Sequence, residues 1–390
     1  MARTRLRSAA SLDGAAARRR FQEKAGLDGD HLAALTDETD ALPGSGWCAG
    51  AVVLAGRGPF VAVEHATGWA LRYASYDPDT GRGVELPASE WLPMRTDTVF
   101  DLASLTKLFT AIAAVQQAER GTLDLDAPAV IYADPRVGLV TDHGITVRHL
   151  LTHTSGLRAE LPFYEHNTAE HTALLWSEKP LTEPGSAYLY SDLNPLLLER
   201  VLWRVTGQPL NTLVREGITK PLGMDRTRFN PPRGWRARIA ATEDQRRPWA
   251  KLNRGLVHGR VHDENAYAMA GVAGHAGLFS TARDLAVLCR TLLSGGAYGP
   301  ARILAPSSVT MLLAPPGLGF QTGAGWFMGE LAGPAGRAAG HTGFTGTSLV
   351  LDPVTDTFLM LLANTVHPVR HPAGSVPRAM AATRLSRAVL

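Results

Sequence analysis

Lysine is what this sequence is short of. Five of its 390 residues are lysine, at positions 24, 107, 179, 220 and 251, so arginine supplies 34 of the 39 basic side chains. Cysteine is scarcer still. Cys48 and Cys289 lie far apart in apolar settings with no C-x-x-C pairing, which speaks against a disulfide framework or a zinc site and predicts two small buried hydrophobes. Net charge is nearly absent: 39 basic against 36 acidic residues leave +3, too balanced for a nucleic-acid or polyanion binder. No run reaches about 18 apolar residues, so no membrane-spanning helix is expected. The basic N-terminal stretch lacks the roughly 7 to 15 apolar residues of a secretory signal. A cytoplasmic location is therefore expected, with residues 1–27 as a flexible basic leader.

What is present suits a self-folding globular chain, with 45% hydrophobic and 19% charged residues. Periodicity predicts a helix over 28–42, a hairpin from 48–54 and 60–65 around Gly56-Arg57-Gly58-Pro59, and a buried helix over 104–120. The middle of the chain alternates helical runs (147–152, 168–176, 194–205, 209–218) with Pro and Gly loops. Strand patterns return at 325–331, 337–340, 347–352 and 358–364, before a closing helix over 377–389. The fold class that follows is α/β (α+β): an antiparallel sheet flanked by N- and C-terminal helices, from residues 28–120 plus 270–390, with a mainly helical insertion at 121–269.

Three short motifs could carry chemistry. Ser104-Leu105-Thr106-Lys107 sets a hydroxyl and an amine one helical turn apart at a helix start. A serine becomes a nucleophile only when a base takes its proton, and a buried lysine with a depressed pKa could do so. The helix N-terminus favours the anion formed in acyl transfer. Chance alone gives such a spacing about 0.2 times in this composition, so the motif needs support. Tyr190-Ser191-Asp192 precedes a helix, and a tyrosine there could shuttle protons. His341-Thr342-Gly343 forms a polar strand edge where glycine lets a substrate backbone approach. The spaced pairs His149/His153 and His258/His262 lack the glutamate of H-E-x-x-H and read as structural, so no metal or other cofactor is expected.

Taken in order, S-x-x-K, Y-x-D and H-T-G resemble the motifs of serine hydrolases of the penicillin-binding fold, in the class C β-lactamase, D-alanyl-D-alanine carboxypeptidase and esterase branch. Further segments carry the likeness, including F-D-L-A-S-L-T-K, H-L-L-T-H-T-S-G-L, A-G-H-A-G-L-F-S-T-A-R-D-L-A and G-H-T-G-F-T-G-T-S-L. The resemblance implies Ser104 as nucleophile, Lys107 as its activating partner and Tyr190 as general base or proton shuttle. It implies an oxyanion hole from the backbone N–H groups of Ser104 and Phe344, and substrate contacts from Asp192, His341, Thr342 and Gly343. His341 stands where relatives carry lysine, and Asp192 where they carry asparagine, so Asp192 either pairs with Lys107 or repels anions. The expected activity is acyl transfer from a small-molecule ester or amide to water, or to an amine or alcohol as in natural-product assembly. A β-lactamase or carboxypeptidase is the alternative, and a binding module without catalysis the reading from another class. Tyr164, Trp176, Trp249 and Trp326 are expected near the acyl group.

Overall fold

The computed structural model describes residues 5–9, 14–135, 140–333, 337–371 and 373–390. Its main sheet contains β1 (Arg7–Ser8), β2 (Gly50–Arg57), β3 (Phe60–Leu71), β4 (Gln321–Thr322), β5 (Ala339–Thr342), β6 (Ser348–Asp352) and β7 (Thr357–Ala363). The order is β1-β3-β2-β7-β6-β5-β4, with Leu92–Pro93 also paired to β3. Every pairing is antiparallel except the short parallel one between β1 and β3. The two ends of the chain meet where β2 runs beside β7, from Ala51↔Ala363 to Arg57↔Thr357.

Six helices matter for the site: α1 (Gly29–Gly44), α2 (Thr106–Glu119), α3 (Val147–Thr152), α4 (Leu193–Thr206), α5 (Ala282–Leu293) and α6 (Val376–Ala388). The period of two along the central strands divides the core. Phe358, Met360 and Leu362 of β7, with Val52 and Leu54 of β2, face the core shared with α2, α4 and α5. Leu359, Leu361 and Ala363, with Ala51 and Val53, face the core beneath α1 and α6. Both faces being apolar, the strands read as unbroken hydrophobic runs, and each buried Leu, Met or Phe contributes roughly 1.5–3 kcal/mol. Helix α2 is buried continuously from Thr106 to Gln117, which suits an element apolar on every side.

Two expectations change. Within the stretch expected to be a flexible leader, Ala15–Lys24 forms a helix and Arg7–Ser8 joins the sheet. Phe21 packs edge-on against Phe60 at 5.3 Å and the Gln22 amide donates to Ala62 O, so local burial outweighs the basic composition. Residues 1–4 and 10–13 lie outside the described residues. The stretch 325–331 is helical rather than a strand, as Gly325–Met328 followed by a 3₁₀ turn. Its buried residues are Phe327, Met328 and Leu331, a helical spacing, while Trp326 faces out.

Between 121 and 269 lie α3, Thr168–Ser177, α4, Leu210–Val214 and a π turn at Arg215–Thr219, joined by long irregular connections. A small sheet of Phe100–Asp101, Leu278–Ser280 and Arg228–Phe229 carries the start of α2, through Asp101↔Phe279 and the Leu102 N–H on Leu278 O at 2.9 Å. Both cysteines are free and buried, and burial pushes the Cys48 thiol up to about 12.

Candidate active site

Ser104 sits in a 3₁₀ turn, Ala103–Leu105, that leads directly into α2. The residue before it, Ala103, has φ of 45°, a region few side chains occupy without strain. Asp101 holds this turn. One carboxylate oxygen accepts the Ala103 N–H at 2.9 Å and the other the His262 N–H at 2.6 Å, while its main-chain carbonyl accepts the Thr345 hydroxyl at 2.7 Å. The Thr347 hydroxyl donates to Leu102 O at 3.1 Å, so two threonines tie the loop after β5 to the turn that carries Ser104. Gly343 makes that approach possible, because a Cβ there would fall 2.4 Å from Leu102 O and 2.2 Å from Thr347 Oγ1.

Lys107, one turn along α2, is 3% exposed. Its ammonium donates to Ser104 Oγ at 2.8 Å and to His275 O at 3.3 Å, and meets Asp192 Oδ1 at 2.8 Å. The contact with Asp192 is one of charge and proximity, for Asp192 Oδ1 receives no well-directed hydrogen bond. Burial by itself would depress the lysine, but Asp192 and Tyr190 outweigh it and raise its pKa above the ordinary value. That direction favours an ammonium beside the serine over the neutral amine base expected from the sequence. Of the two fates foreseen for Asp192, pairing with Lys107 is the one observed.

Tyr190 lies against this cation, its ring centroid 5.0 Å from Lys107 Nζ. Burial pushes its phenol pKa up, and Lys107 pulls it partly back. His275 packs behind Lys107, its Nε2 at 2.9 Å from Asp263 Oδ1. Its segment is anchored by Glu199 of α4, which accepts the Gly274 N–H at 2.9 Å, and by the Thr110 hydroxyl, which donates to Gly274 O at 2.7 Å.

A cavity of about 870 Å³ opens over Ser104. Tyr190, His341, Thr342, Gly343 and Phe344 line it with Ser104, whereas Lys107 and Asp192 lie behind the wall. Three sequence-predicted motifs therefore converge on one site. The backbone N–H of Phe344 has no acceptor among the described residues. His341 is buried; its Nδ1 approaches Thr342 O at 2.7 Å and its Nε2 has no partner among the described residues. Burial, then the Lys107 charge, holds it down to about 4, so the imidazole is neutral at pH 7. Of the four aromatic residues expected near the acyl group, Trp326 alone lines the cavity. Trp176 is in the core, Trp249 packs on Tyr76 at 5.2 Å, and Tyr164 lies under Lys251 at 5.7 Å.

Sequence reasoning missed Arg378. It comes from the first turn of α6, is 7% exposed, lines the cavity and has no carboxylate partner among the described residues. Its guanidinium meets Ser375 Oγ at 3.4 Å and Gly343 O at 3.5 Å and lies over the Trp47 ring at 5.5 Å, and burial holds its pKa down to about 10. Thr365 Oγ1, also on the cavity wall, is buried and unpartnered. An arginine so placed reads from sequence as one more basic residue on an amphipathic helix.

The spaced histidines bind within the protein. His149 Nδ1 accepts the Thr146 N–H at 3.2 Å, His258 Nε2 meets Ile239 O at 2.9 Å, and His262 Nε2 meets Glu243 at 2.8 Å. No cluster suited to a metal ion occurs among the described residues, nor does any helix among them have the length and apolar character to cross a membrane.

The chain resembles known proteins over most of its length. The family model described as Beta-lactamase matches residues 33–382. A protein of Escherichia coli (strain K12) named "Putative D-alanyl-D-alanine carboxypeptidase" is 36% identical over 314 residues, covering 71% of each chain. Among solved structures, a class C β-lactamase superposes with a TM-score of 0.70 at 18% identity, over 93% of this chain and 97% of the other. EstCE1, described as a hydrolase with promiscuous acyltransferase activity, gives 0.66 at 22% identity, over 91% and 98%. With a family match across nearly the whole chain and the S-x-x-K serine at the floor of the cavity, the protein belongs to the β-lactamase family of serine hydrolases.

Proposed function

We propose that the protein catalyses acyl transfer through a covalent Ser104 acyl-enzyme formed from a small-molecule ester or amide. The observation that carries this is the contact of the Lys107 ammonium with Ser104 Oγ at 2.8 Å, beneath the Tyr190 ring. Ser104 Oγ bonds to the carbonyl carbon and the carbonyl oxygen becomes an oxyanion, received by the backbone N–H groups of Ser104 and Phe344. The serine proton passes to Tyr190 in its phenolate form. The adjacent ammonium offsets part of the burial cost of that phenolate, and Tyr190 then hands the proton to the departing alcohol or amine. Water, or a second alcohol or amine, repeats the steps in reverse and takes the acyl group.

A second reading is supported by Arg378. A buried guanidinium without a carboxylate partner, on the wall of a cavity that a free threonine hydroxyl also lines, suits a substrate that brings its own carboxylate. That favours a carboxypeptidase-type substrate, and the name of the E. coli relative points the same way. His341, neutral and offering a bare Nε2, does not supply the positive charge; Arg378 does.

Intact-mass spectrometry after incubation with activated esters tests the acyl-enzyme. The wild type is expected to gain the acyl mass and Ser104→Ala to gain none. Absence of any adduct and of turnover across ester, amide and β-lactam panels would sink the reading. Comparing neutral esters with esters ending in a free carboxylate separates the two substrate classes.

A further inference from the structure

His153 closes α3 in a left-handed conformation, φ 54° and ψ 37°, at the cavity wall. A side chain held in this region marks a position fixed by its surroundings. Its main-chain carbonyl accepts the Leu189 N–H at 2.8 Å, and its Nδ1 accepts the Ser191 N–H at 3.1 Å. The histidine thus grips the residue before Tyr190 and the residue after it. Between these grips its ring stacks on the Tyr190 ring, centroids 4.6 Å apart and planes at 28°.

The tautomer is fixed as well. A backbone N–H can only donate, so Nδ1 carries no proton, and the side-chain amide of Asn194 lies 3.0 Å from the same nitrogen. Asn194 is oriented in turn by the Ser155 hydroxyl, which donates to its Oδ1 at 2.5 Å. Thr-His-Thr-Ser and Tyr-Ser-Asp-Leu-Asn, some 40 residues apart in sequence, therefore form one lock around a single phenol.

We infer that His153 is the positioning residue for Tyr190: it clamps both sides of the tyrosine backbone and covers one ring face with an uncharged imidazole, so that the only cation touching the phenol is Lys107. This rests on the role proposed for Tyr190 but is measurable without it. The groups facing Tyr190 are Lys107 and Ser104 from α2 and its approach, Asp192 and Tyr188 from its own segment, and His341 from β5. Of these, only Tyr188 meets the His153 ring in an aromatic contact, edge-on at 6.0 Å, and a change at His153 leaves all of these residues in place. The imidazole stays uncharged through the neutral range, burial holding it down to about 3.

His153→Asn separates the clamp from the stack, because the Asn amide oxygen can replace Nδ1 as acceptor while the ring is lost. His153→Phe does the reverse. The readout is the titration of Tyr190 in protein carrying ¹³C-labelled tyrosine, with the resonance assigned by Tyr190→Phe. In His153→Asn, water reaches the uncovered face, so the Tyr190 pKa is expected to fall, and the limb of the acylation pH profile that follows it moves to lower pH. His153→Phe keeps the pKa near wild type but loosens the backbone, lowering acylation by up to about a hundredfold with substrate affinity little changed. Unchanged Tyr190 titration in folded His153→Asn, or wild-type acylation rates in both variants, would overturn the inference. If the wild type forms no acyl-enzyme at all, the reaction proposed above fails, while the titration still decides the role of His153.

Discussion

The two walls of the cavity are built on opposite principles. On the Ser104 side, Asp101, Lys107, Asp263 and Glu199 each meet named donors, acceptors or opposite charges, and Asp192 Oδ1 and His275 Nδ1 are buried there without a hydrogen bond. On the far side, His341 Nε2, Thr365 Oγ1 and Arg378 Nε are buried without partners among the described residues. A buried polar atom left alone costs about 1–3 kcal/mol. Charges on the first side are matched within the protein, whereas the second side offers an unmatched guanidinium and hydroxyl to a ligand.

The sharpest way to break this contrast is Lys107→Met. It removes the cation beside Ser104 and leaves the partly buried Asp192 charged without its partner. Acylation is expected to fall at least about a thousandfold, and stability by about 3–5 kcal/mol. Intact mass and denaturant unfolding read the two effects. Retained acylation in a folded variant would remove Lys107 from the reaction.

Arg378→Leu probes the other wall and should separate binding from stability. For carboxylate-bearing substrates, a lost charge-assisted contact of about 1.5–3 kcal/mol corresponds to a roughly 10- to 100-fold loss in kcat/KM, while neutral esters change little. Unfolding should show the variant as stable as the wild type or more so, since an unpaired buried charge has gone. Equal losses for both substrate classes would mean that Arg378 does not recognise a carboxylate.

A third effect is the pH dependence of stability. His341 is held down to about 4 from an ordinary 6.5, and His367 likewise by its burial. As pH falls below about 6.5 the unfolded chain takes up protons that these folded histidines refuse. Stability therefore declines from about pH 6.5 to about pH 4 and, as far as these two groups go, levels off below. His341→Asn should flatten part of that slope; an unchanged slope would show that His341 is not neutral in the folded protein. The smallest effect is expected of Thr365→Val, which removes an unpartnered hydroxyl at a stability change within about 1 kcal/mol in either direction. If it lowers carboxylate turnover as much as Arg378→Leu does, the anion rests on the threonine as well.

Much of this was readable in the residues. The strands β2, β6 and β7 and helices α2, α4 and α6 were anticipated to within a few residues, because long apolar runs and 3.6-residue spacing are strong signals. The convergence of Ser104, Tyr190 and His341 rested on motif order and not on any single motif. The misreadings have physical causes. Gly325–Met328 is too short for periodicity to distinguish helix from strand, and Ala15–Lys24 owes its helix to contacts with β3 that its composition does not reveal. The protonation of Lys107 depends on Asp192, 85 residues away, and the isolation of Arg378 is a property of its surroundings. Spacing along a chain reports neither.

The two threonine tethers, from Thr345 to Asp101 and from Thr347 to Leu102, have a consequence for motion. They join the loop after β5 to the turn before α2, so the two segments should open as one cooperative unit. Amide hydrogen exchange at Gly343 and Leu102, whose N–H groups bond to Thr347 O and Leu278 O, is then expected at matched protection, well above that of the loop at residues 77–82. Built this way, the protein should lose both sides of the proposed reaction centre in a single event, and partial unfolding should leave no half-assembled site.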